Sequence, residues 1–156
     1  MIRKLLILSV LIVLLGSCSM LKISVPPESM AKESAIKVVT NDYELIDIFK
    51  ESDYLGVPFD GMVGVFKKDG NTFFLHVYKG ENSKSAKNVW KKIADRLGMF
   101  WWRTILELPW SGRVSTRKNG KEIVCWWRNR WVFVVEGIRG TDEFVDHIMN
   151  TYNFYR

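Results

Sequence analysis

The sequence predicts an α+β fold, in which a two-layer sandwich is formed by one antiparallel sheet of about five or six strands with helices on one face. Two observations predict it: short β-rich runs are separated by turn residues, and longer segments have apolar residues at helical spacing. The β-rich runs are residues 63–66, 73–78, 113–116, 122–127 and 131–135, with residues 34–40 as a sixth candidate strand.

Turn residues between these runs predict hairpins. Asp69-Gly70 separates the first two runs, and Gly70 can adopt a positive φ at little cost. Asn119-Gly120 separates the runs at 113–116 and 122–127 in the same way. A further tight turn at Asn129-Arg130 then leads to the last run, so the sequence predicts mostly antiparallel neighbours.

Three segments carry helical patterns. The first begins at Asn41 or Asp42, either of which can cap a helix, and places Leu45, Ile46 and Phe49 on one face. The second begins at Asn82 or Ser83 and ends before Gly98, where a helix commonly stops. Its apolar stripe consists of Ala86, Val89, Trp90, Ile93, Ala94 and Leu97.

The third helical segment follows Gly140. Thr141 is a good N-cap residue, and Asp142 and Glu143 occupy the first turn, where the helix dipole favours anions. The expected buried face consists of Phe144, Val145, Ile148, Met149 and Tyr152. Residues 63–80 and 124–140 are each a strand pair that ends in a glycine and precedes a helix, which indicates a weak ββα repeat.

The start of the chain has the pattern of an export signal. Arg3 and Lys4 precede an apolar run from Leu5 to Leu15. This run is shorter than the roughly 20 residues that a membrane-spanning helix needs, so a removable secretory signal is favoured. Leu15-Gly16-Ser17-Cys18 closes the run and resembles the lipobox of bacterial lipoprotein precursors. There are two alternatives to this interpretation. The segment could be an ordinary signal peptide in which the cysteine occurs by chance, or it could be a buried helix.

The lipobox resemblance implies cleavage before Cys18 and attachment of fatty chains to its thiol. Residues 1–17 would then be the signal peptide, 18–35 the lipidated cysteine and a flexible tether, and 36–156 a single α+β domain. The implied location is the bacterial cell envelope, and Ser19 after the cysteine favours the outer membrane of a two-membraned cell. The order of elements from residue 41 to 154 also resembles small uncharacterised bacterial lipoprotein domains, a likeness that brings no catalytic residues with it.

The composition and motifs of the sequence limit the binding and catalytic activities that it supports. The formal net charge of +6 falls to +4 when Arg3 and Lys4 are removed, a modest excess without any nucleic-acid recognition motif. If Cys18 carries lipid, Cys125 has no disulfide partner. The two histidines have no Cys, Asp or Glu neighbour at ligand spacing, and phosphate loops and serine elbows are absent from the sequence. We therefore predict no enzyme activity, no metal and no cofactor.

Tryptophans are the most unusual feature, since six of the seven lie between residues 101 and 131. Trp126 and Trp127 are adjacent on a predicted strand and must face opposite sides of the sheet. Either the segment 99–110 covers the second side, or aromatic residues form an exposed patch rimmed by arginines. The candidate binding residues are Trp101, Trp102, Arg103, Trp110, Trp126, Arg128 and Arg130.

These patterns predict a lipid-anchored cell-envelope protein with a non-enzymatic binding or assembly role. Its expected partners are the membrane, through lipidated Cys18, and an envelope protein or a glycan. The alternative is a ligand-carrying module that binds a lipid or glycan through an aromatic pocket.

Overall fold

The computed structural model describes residues 23–98 and 104–155. Seven strands and three helices make up this part of the chain. In chain order they are α1 (Lys32–Lys37), β1 (Glu44–Tyr54), β2 (Val57–Lys68), β3 (Asn71–Lys79), α2 (Ser83–Arg96), β4 (Thr104–Leu108), β5 (Ser111–Lys118), β6 (Lys121–Arg128), β7 (Trp131–Gly137) and α3 (Thr141–Asn153).

All seven strands form one antiparallel sheet in the order β1-β2-β3-β7-β6-β5-β4. The predicted hairpins at Gly70 and Gly120 are confirmed as β2–β3 and β5–β6. Their turns begin with Asp69 and Asn119, which adopt positive φ like the glycines that follow them. Both residue types tolerate this conformation better than most, which explains why the turns form where they do.

The predicted two-layer sandwich is wrong. The sheet has seven strands rather than five or six, and helices pack against both of its faces. We call the face that carries α1 and α3 the front face, and the face that carries α2 the back face. The fold therefore has three layers, with two hydrophobic cores separated by the sheet.

The front core lies between the sheet and helices α1 and α3. The predicted apolar face of α3 is confirmed, since all five of its residues are buried there. The helix packs on front-face residues of the central strands, which include Phe66, Phe73, Leu75, Val124, Trp126, Phe133 and Val135.

The back core lies under α2. The apolar stripe of this helix meets Val114 of β5, Cys125 and Trp127 of β6, and Val132 and Val134 of β7. Asn82 caps the helix as predicted, because its side chain accepts the amide of Ser85 at 2.9 Å in a capping box. Gly98 follows the helix with a φ of +96°, as its predicted role at the helix end requires.

Two predicted elements near the start of the domain are wrong. The segment from residue 41, predicted to be helical, is strand β1, and residues 34–40, a candidate strand, overlap helix α1. Leu45, Ile46 and Phe49 match helical spacing because irregularities in the β1–β2 register break the two-residue alternation of this edge strand. Ile46 and Phe49 are half-exposed there, as an edge strand allows.

The N-terminus of α3 also differs from the prediction. Gly140, with a φ of +73°, is the N-cap residue, and Thr141 is the first helical residue. The carboxylate of Glu122 on β6 accepts the Thr141 amide at 3.4 Å, so a neighbouring strand supplies the cap. The two ββα units of the weak repeat exist, but their helices α2 and α3 lie on opposite faces of the sheet.

The packed part of the chain begins before residue 36. Ile23 and Val25 are buried in the front core, although the sequence placed them in the flexible tether. The Ser24 hydroxyl lies 2.7 Å from Oδ1 of Asn153 at the end of α3. None of the described helices combines the length and the apolar character needed to cross a membrane.

Candidate functional site

The tryptophans of β6 and β7 are core residues. Trp126 and Trp131 lie in the front core, where their rings stack on Phe133 with centroids 5.1 and 5.7 Å away. Trp127 lies in the back core, 6.4 Å from the Trp90 ring of α2. The second face is covered by α2 rather than by the predicted segment 99–110, of which residues 104–108 form β4 and residues 99–103 lie outside the described part of the chain.

Burial removes Trp126 from any surface patch, because its exposed fraction is 0%. Trp101, Trp102 and Arg103 lie outside the described residues, as does Cys18. The candidates that remain at the surface are Trp110, which is 60% exposed, and the partly exposed arginines 128 and 130.

These three residues lie at one end of the sheet, which we call the turn end. It consists of the β4–β5 turn, the β6–β7 turn and the C-terminus of α3. Trp110 precedes Ser111, and Ser111 pairs with Arg128 across the β5–β6 ladder. Arg128 donates from Nη1 to the carbonyl of Ile23 at 2.7 Å, and Arg130 donates from Nε to the carbonyl of Gly80 at 2.8 Å.

A second group of polar residues lies on the back face, beside the area that α2 covers. The His76 ring on β3 lies 2.8 Å, through Nδ1, from the Glu51 carboxylate on β1. The Tyr54 hydroxyl donates to Glu136 on β7 at 2.5 Å, and Lys121 donates to the other oxygen of that carboxylate at 2.9 Å. We call these five residues the polar cluster.

Burial and charge shape the polar cluster. Burial raises the pKa of Tyr54 far above its usual value, and the negative charge of Glu136 raises it further. Burial alone would raise the pKa of Glu136, but hydrogen bonds from Tyr54 and Lys121 and the nearby His76 outweigh it and lower that pKa. A charged carboxylate is therefore held at a partly buried site.

The polar cluster was not predicted from the sequence. Glu136 ends the apolar run of β7, which is the one local signal of a polar group on the back face. Glu51 lies in the segment that was predicted to be a helix, so its contact with His76 on a neighbouring part of the sheet could not be predicted. The Nε2 atom of His76 is buried and has no hydrogen-bond partner among the described residues.

The other candidate chemical groups are structural. Cys125 is 0% exposed in the back core, and burial raises the pKa of its thiol far above the usual range. His147 lies 2.9 Å, through Nε2, from the carbonyl of Val39 and holds α3 against the segment after α1. Within residues 23–98 and 104–155, no three His, Cys, Asp or Glu side chains come together as a metal site would require.

The surface of the described residues has two depressions of about 380 Å³ each. One lies on the back face next to the polar cluster, where Phe74, Lys121, Glu136 and Arg139 line it. The other lies near the start of α3, with Arg117, Glu122 and Asp142 in its wall. Neither depression has a tryptophan in its lining, so neither matches the predicted tryptophan pocket.

Residues 27–154 of the sequence match one family model. The chain belongs to the DUF3242 family, described as a protein of unknown function. The DUF3242 match spans all seven strands and all three helices. No curated protein matches the chain.

Two solved structures are similar to this DUF3242 chain. A GTP binding regulator from Thermotoga maritima is 43% identical, with a TM-score of 0.76 over 84% of this chain and 93% of that one. The extracellular domain of PknH from Mycobacterium tuberculosis is 10% identical, with a TM-score of 0.43 over 85% of this chain and 99% of that one.

Proposed function

We propose that this DUF3242 protein is a lipid-anchored cell-envelope protein with a non-enzymatic binding or regulatory role. The observation that carries the proposal is the position of Cys18 relative to the fold. The lipobox ends at Cys18, and Ile23, the first residue that the structure describes, is already buried in the front core. Cleavage before Cys18 would thus remove the signal segment and leave the described domain whole.

The chemistry of the side chains supports a role without catalysis. Nucleophilic catalysis by cysteine needs a thiolate beside a base, and Cys125 is buried among apolar residues with a raised thiol pKa. Each histidine uses one ring nitrogen in a contact within the fold: Nδ1 of His76 with Glu51, and Nε2 of His147 with the carbonyl of Val39. The name of the Thermotoga relative, a GTP binding regulator, agrees with a binding or regulatory role.

Membrane fractionation tests the anchor. The full precursor and its Cys18→Ala variant are expressed in a bacterium that processes lipoproteins, with radioactive palmitate in the medium. We expect the wild type to incorporate label and to sediment with membranes, and the variant to lose the label. An unlabelled wild type, or a labelled variant, would contradict the proposal.

A ligand-carrying module is the second candidate. The back-face depression favours it, because about 380 Å³ lies within the range of small-molecule sites and its lining includes the Phe74 ring and the cationic residues Lys121 and Arg139. An aromatic ring flanked by cations suits an anionic ligand with a planar or apolar part. A nucleotide, as the name of the relative indicates, and a lipid headgroup both have this chemistry.

Calorimetric titration separates the two candidates. The acylated protein is titrated with GTP, ATP and a short-chain phosphatidylglycerol. A carrier should bind one of them saturably, and Lys121→Ala should weaken binding at least several-fold. Lys92→Ala, which changes an exposed lysine on α2, is the matched control. No heat of binding for any of the three ligands would remove the carrier.

A further inference from the structure

We propose that the turn end is a membrane-docking surface, on which Trp110, Phe154 and Tyr155 insert into the headgroup region of the bilayer that holds the lipidated Cys18. This inference rests on the proposed lipid anchor. It adds an orientation: the domain lies against the bilayer by one defined end and does not hang freely from a tether.

Two hydrogen bonds fix the point at which the chain enters the domain. The carbonyl of Ile23 accepts from Arg128 beside the β6–β7 turn, and the next residue, Ser24, bonds to Asn153 at the end of α3. Ile23 itself is 1% exposed, so its side chain is part of the front core. The first described residues therefore lie at the turn end.

The length of the preceding segment limits how far this end can lie from the membrane. Cys18 and Ile23 are five residues apart in the sequence. Even fully extended, that separation spans at most about 18 Å at roughly 3.6 Å per residue. Helix α3 has 13 residues, and at a rise of about 1.5 Å each its two ends are about 20 Å apart. A lipidated Cys18 would therefore keep the turn end within about 18 Å of the bilayer, whereas the opposite end can be about 20 Å farther away.

Exposed aromatic side chains are concentrated where the chain enters. Trp110 is 60% exposed, Phe154 is 89% exposed and Tyr155 is 45% exposed. Trp110 neighbours the Ser111–Arg128 pair, and Phe154 directly follows Asn153. Tryptophan and tyrosine favour the membrane interface because their apolar rings can lie among the lipid chains while their polar groups stay in contact with water and headgroups.

Charged side chains at the turn end contribute less to membrane adsorption than the aromatic rings do. Arg128 and Arg130 lie at the turn end, and guanidinium groups suit the phosphates of anionic lipids. Glu81, which is exposed, follows the Gly80 carbonyl that Arg130 contacts. Since acidic and basic groups are both present, we expect the aromatic rings to supply most of the adsorption.

Site-directed spin labelling of the acylated protein tests this orientation. Phe154→Cys and Ile138→Cys are made singly in the full precursor, and the products are purified from membranes, labelled and placed in phosphatidylethanolamine–phosphatidylglycerol vesicles. Ile138 is the matched control, because it is 67% exposed and precedes α3 at the opposite end. Cys125 is buried and should not react, and an acylated Cys18 has no free thiol.

The readout is the collision rate of each label with a water-soluble nickel chelate and with oxygen. Docking predicts several-fold fewer nickel collisions and more oxygen collisions at position 154 than at position 138. Equal accessibility at both positions, with acylated Cys18 in the mass spectrum, would overturn docking and leave the anchor intact. A mass spectrum with unmodified Cys18 would overturn both proposals. Protection at 154 with spin–spin broadening would identify a second copy as the occupant and would also overturn membrane docking.

A second set of variants examines the aromatic rings directly. In the Phe154→Cys background, Trp110→Ser with Tyr155→Ser should raise nickel accessibility at position 154 several-fold, towards the value at 138. Ile105→Ser, which changes a half-exposed residue on β4, should leave the nickel accessibility at position 154 unchanged. All three sites are exposed, so the fold should survive these changes. An unchanged accessibility in the double variant would overturn the role of the rings.

Discussion

Trp126 and Trp127 are adjacent on β6, yet they are buried in two different cores on opposite faces of the sheet. Trp126 stacks on Phe133 under α3, and Trp127 packs against Trp90 of α2. One short strand segment thus connects both helical layers to the sheet. The pair explains much of the unusual tryptophan content as packing.

Truncating either tryptophan should destabilise the domain by a similar amount. Trp126→Ala and Trp127→Ala each leave a large cavity, and we expect each to cost about 3–5 kcal/mol of unfolding free energy. Trp110→Ala changes an exposed ring and should cost less than about 0.5 kcal/mol. Urea unfolding followed by circular dichroism measures all three. A Trp126→Ala variant as stable as Trp110→Ala would contradict the two-core arrangement.

The Cys125 thiol should be unreactive in the native protein. Its side chain is fully buried and its pKa is raised by burial, so little thiolate forms and reagents cannot reach it. We expect iodoacetamide to modify Cys125 only after denaturant is added. Quantitative modification of the folded protein within minutes would contradict the burial of this thiol.

The polar cluster should make stability depend on pH. The pKa of Glu136 is lower in the folded protein than its ordinary value of 4.5, so the unfolded chain binds a proton more readily. The resulting stabilisation is fully present above about pH 4.5 and is lost as the pH falls through the lowered folded pKa. In urea unfolding at a series of pH values, Glu136→Gln should show a smaller loss below pH 4.5 than the wild type.

Tyr54→Phe should weaken the stabilisation of the Glu136 carboxylate without removing it. It removes one of the two hydrogen bonds that hold the Glu136 carboxylate charged, while Lys121 keeps the other. Its loss of stability at acidic pH should be intermediate between those of the wild type and Glu136→Gln. Identical pH profiles for all three proteins would show that the cluster does not stabilise the charged carboxylate.

The cap of α2 should stabilise the back core. The Asn82 side chain accepts the Ser85 amide, and the Ser85 hydroxyl lies 3.3 Å from the Asn82 amide. Asn82→Ala removes this cap and should cost about 1 kcal/mol of unfolding free energy. Asn88→Ala, an exposed change within the same helix, is the control and should be neutral or slightly stabilising. Equal effects of the two variants would contradict the capping role.

Local patterns in the sequence were sufficient for the elements whose cause is local. The hairpins at Gly70 and Gly120 and the helix after Asn82 were predicted because turn chemistry, capping and apolar spacing are properties of neighbouring residues. Strand β1 was missed for a physical reason: it is a half-exposed edge strand with irregular register, so its apolar residues do not alternate. Strand β4 lies at the end of an aromatic segment that gave no alternating pattern.

The number of layers could have been predicted from β6 and β7. Residues 123–127 and 131–135 are apolar almost without interruption, which indicates strands covered on both faces. The opposite directions of Trp126 and Trp127 are consistent with cover on both sides, although by themselves they also allowed an exposed aromatic patch. The polar cluster, in contrast, joins β1, β3, β6 and β7, and only the strand order brings these residues together.

The mass of the N-terminal tryptic peptide shows whether the mature protein begins at a lipidated Cys18. Trypsin should release residues 18–22 from the mature protein, since Lys22 ends this segment. We expect a peptide that begins at Cys18 and carries the added mass of a diacylglyceryl group. A mature protein that retains residues 1–17, or that begins at any residue other than a lipidated Cys18, would contradict it.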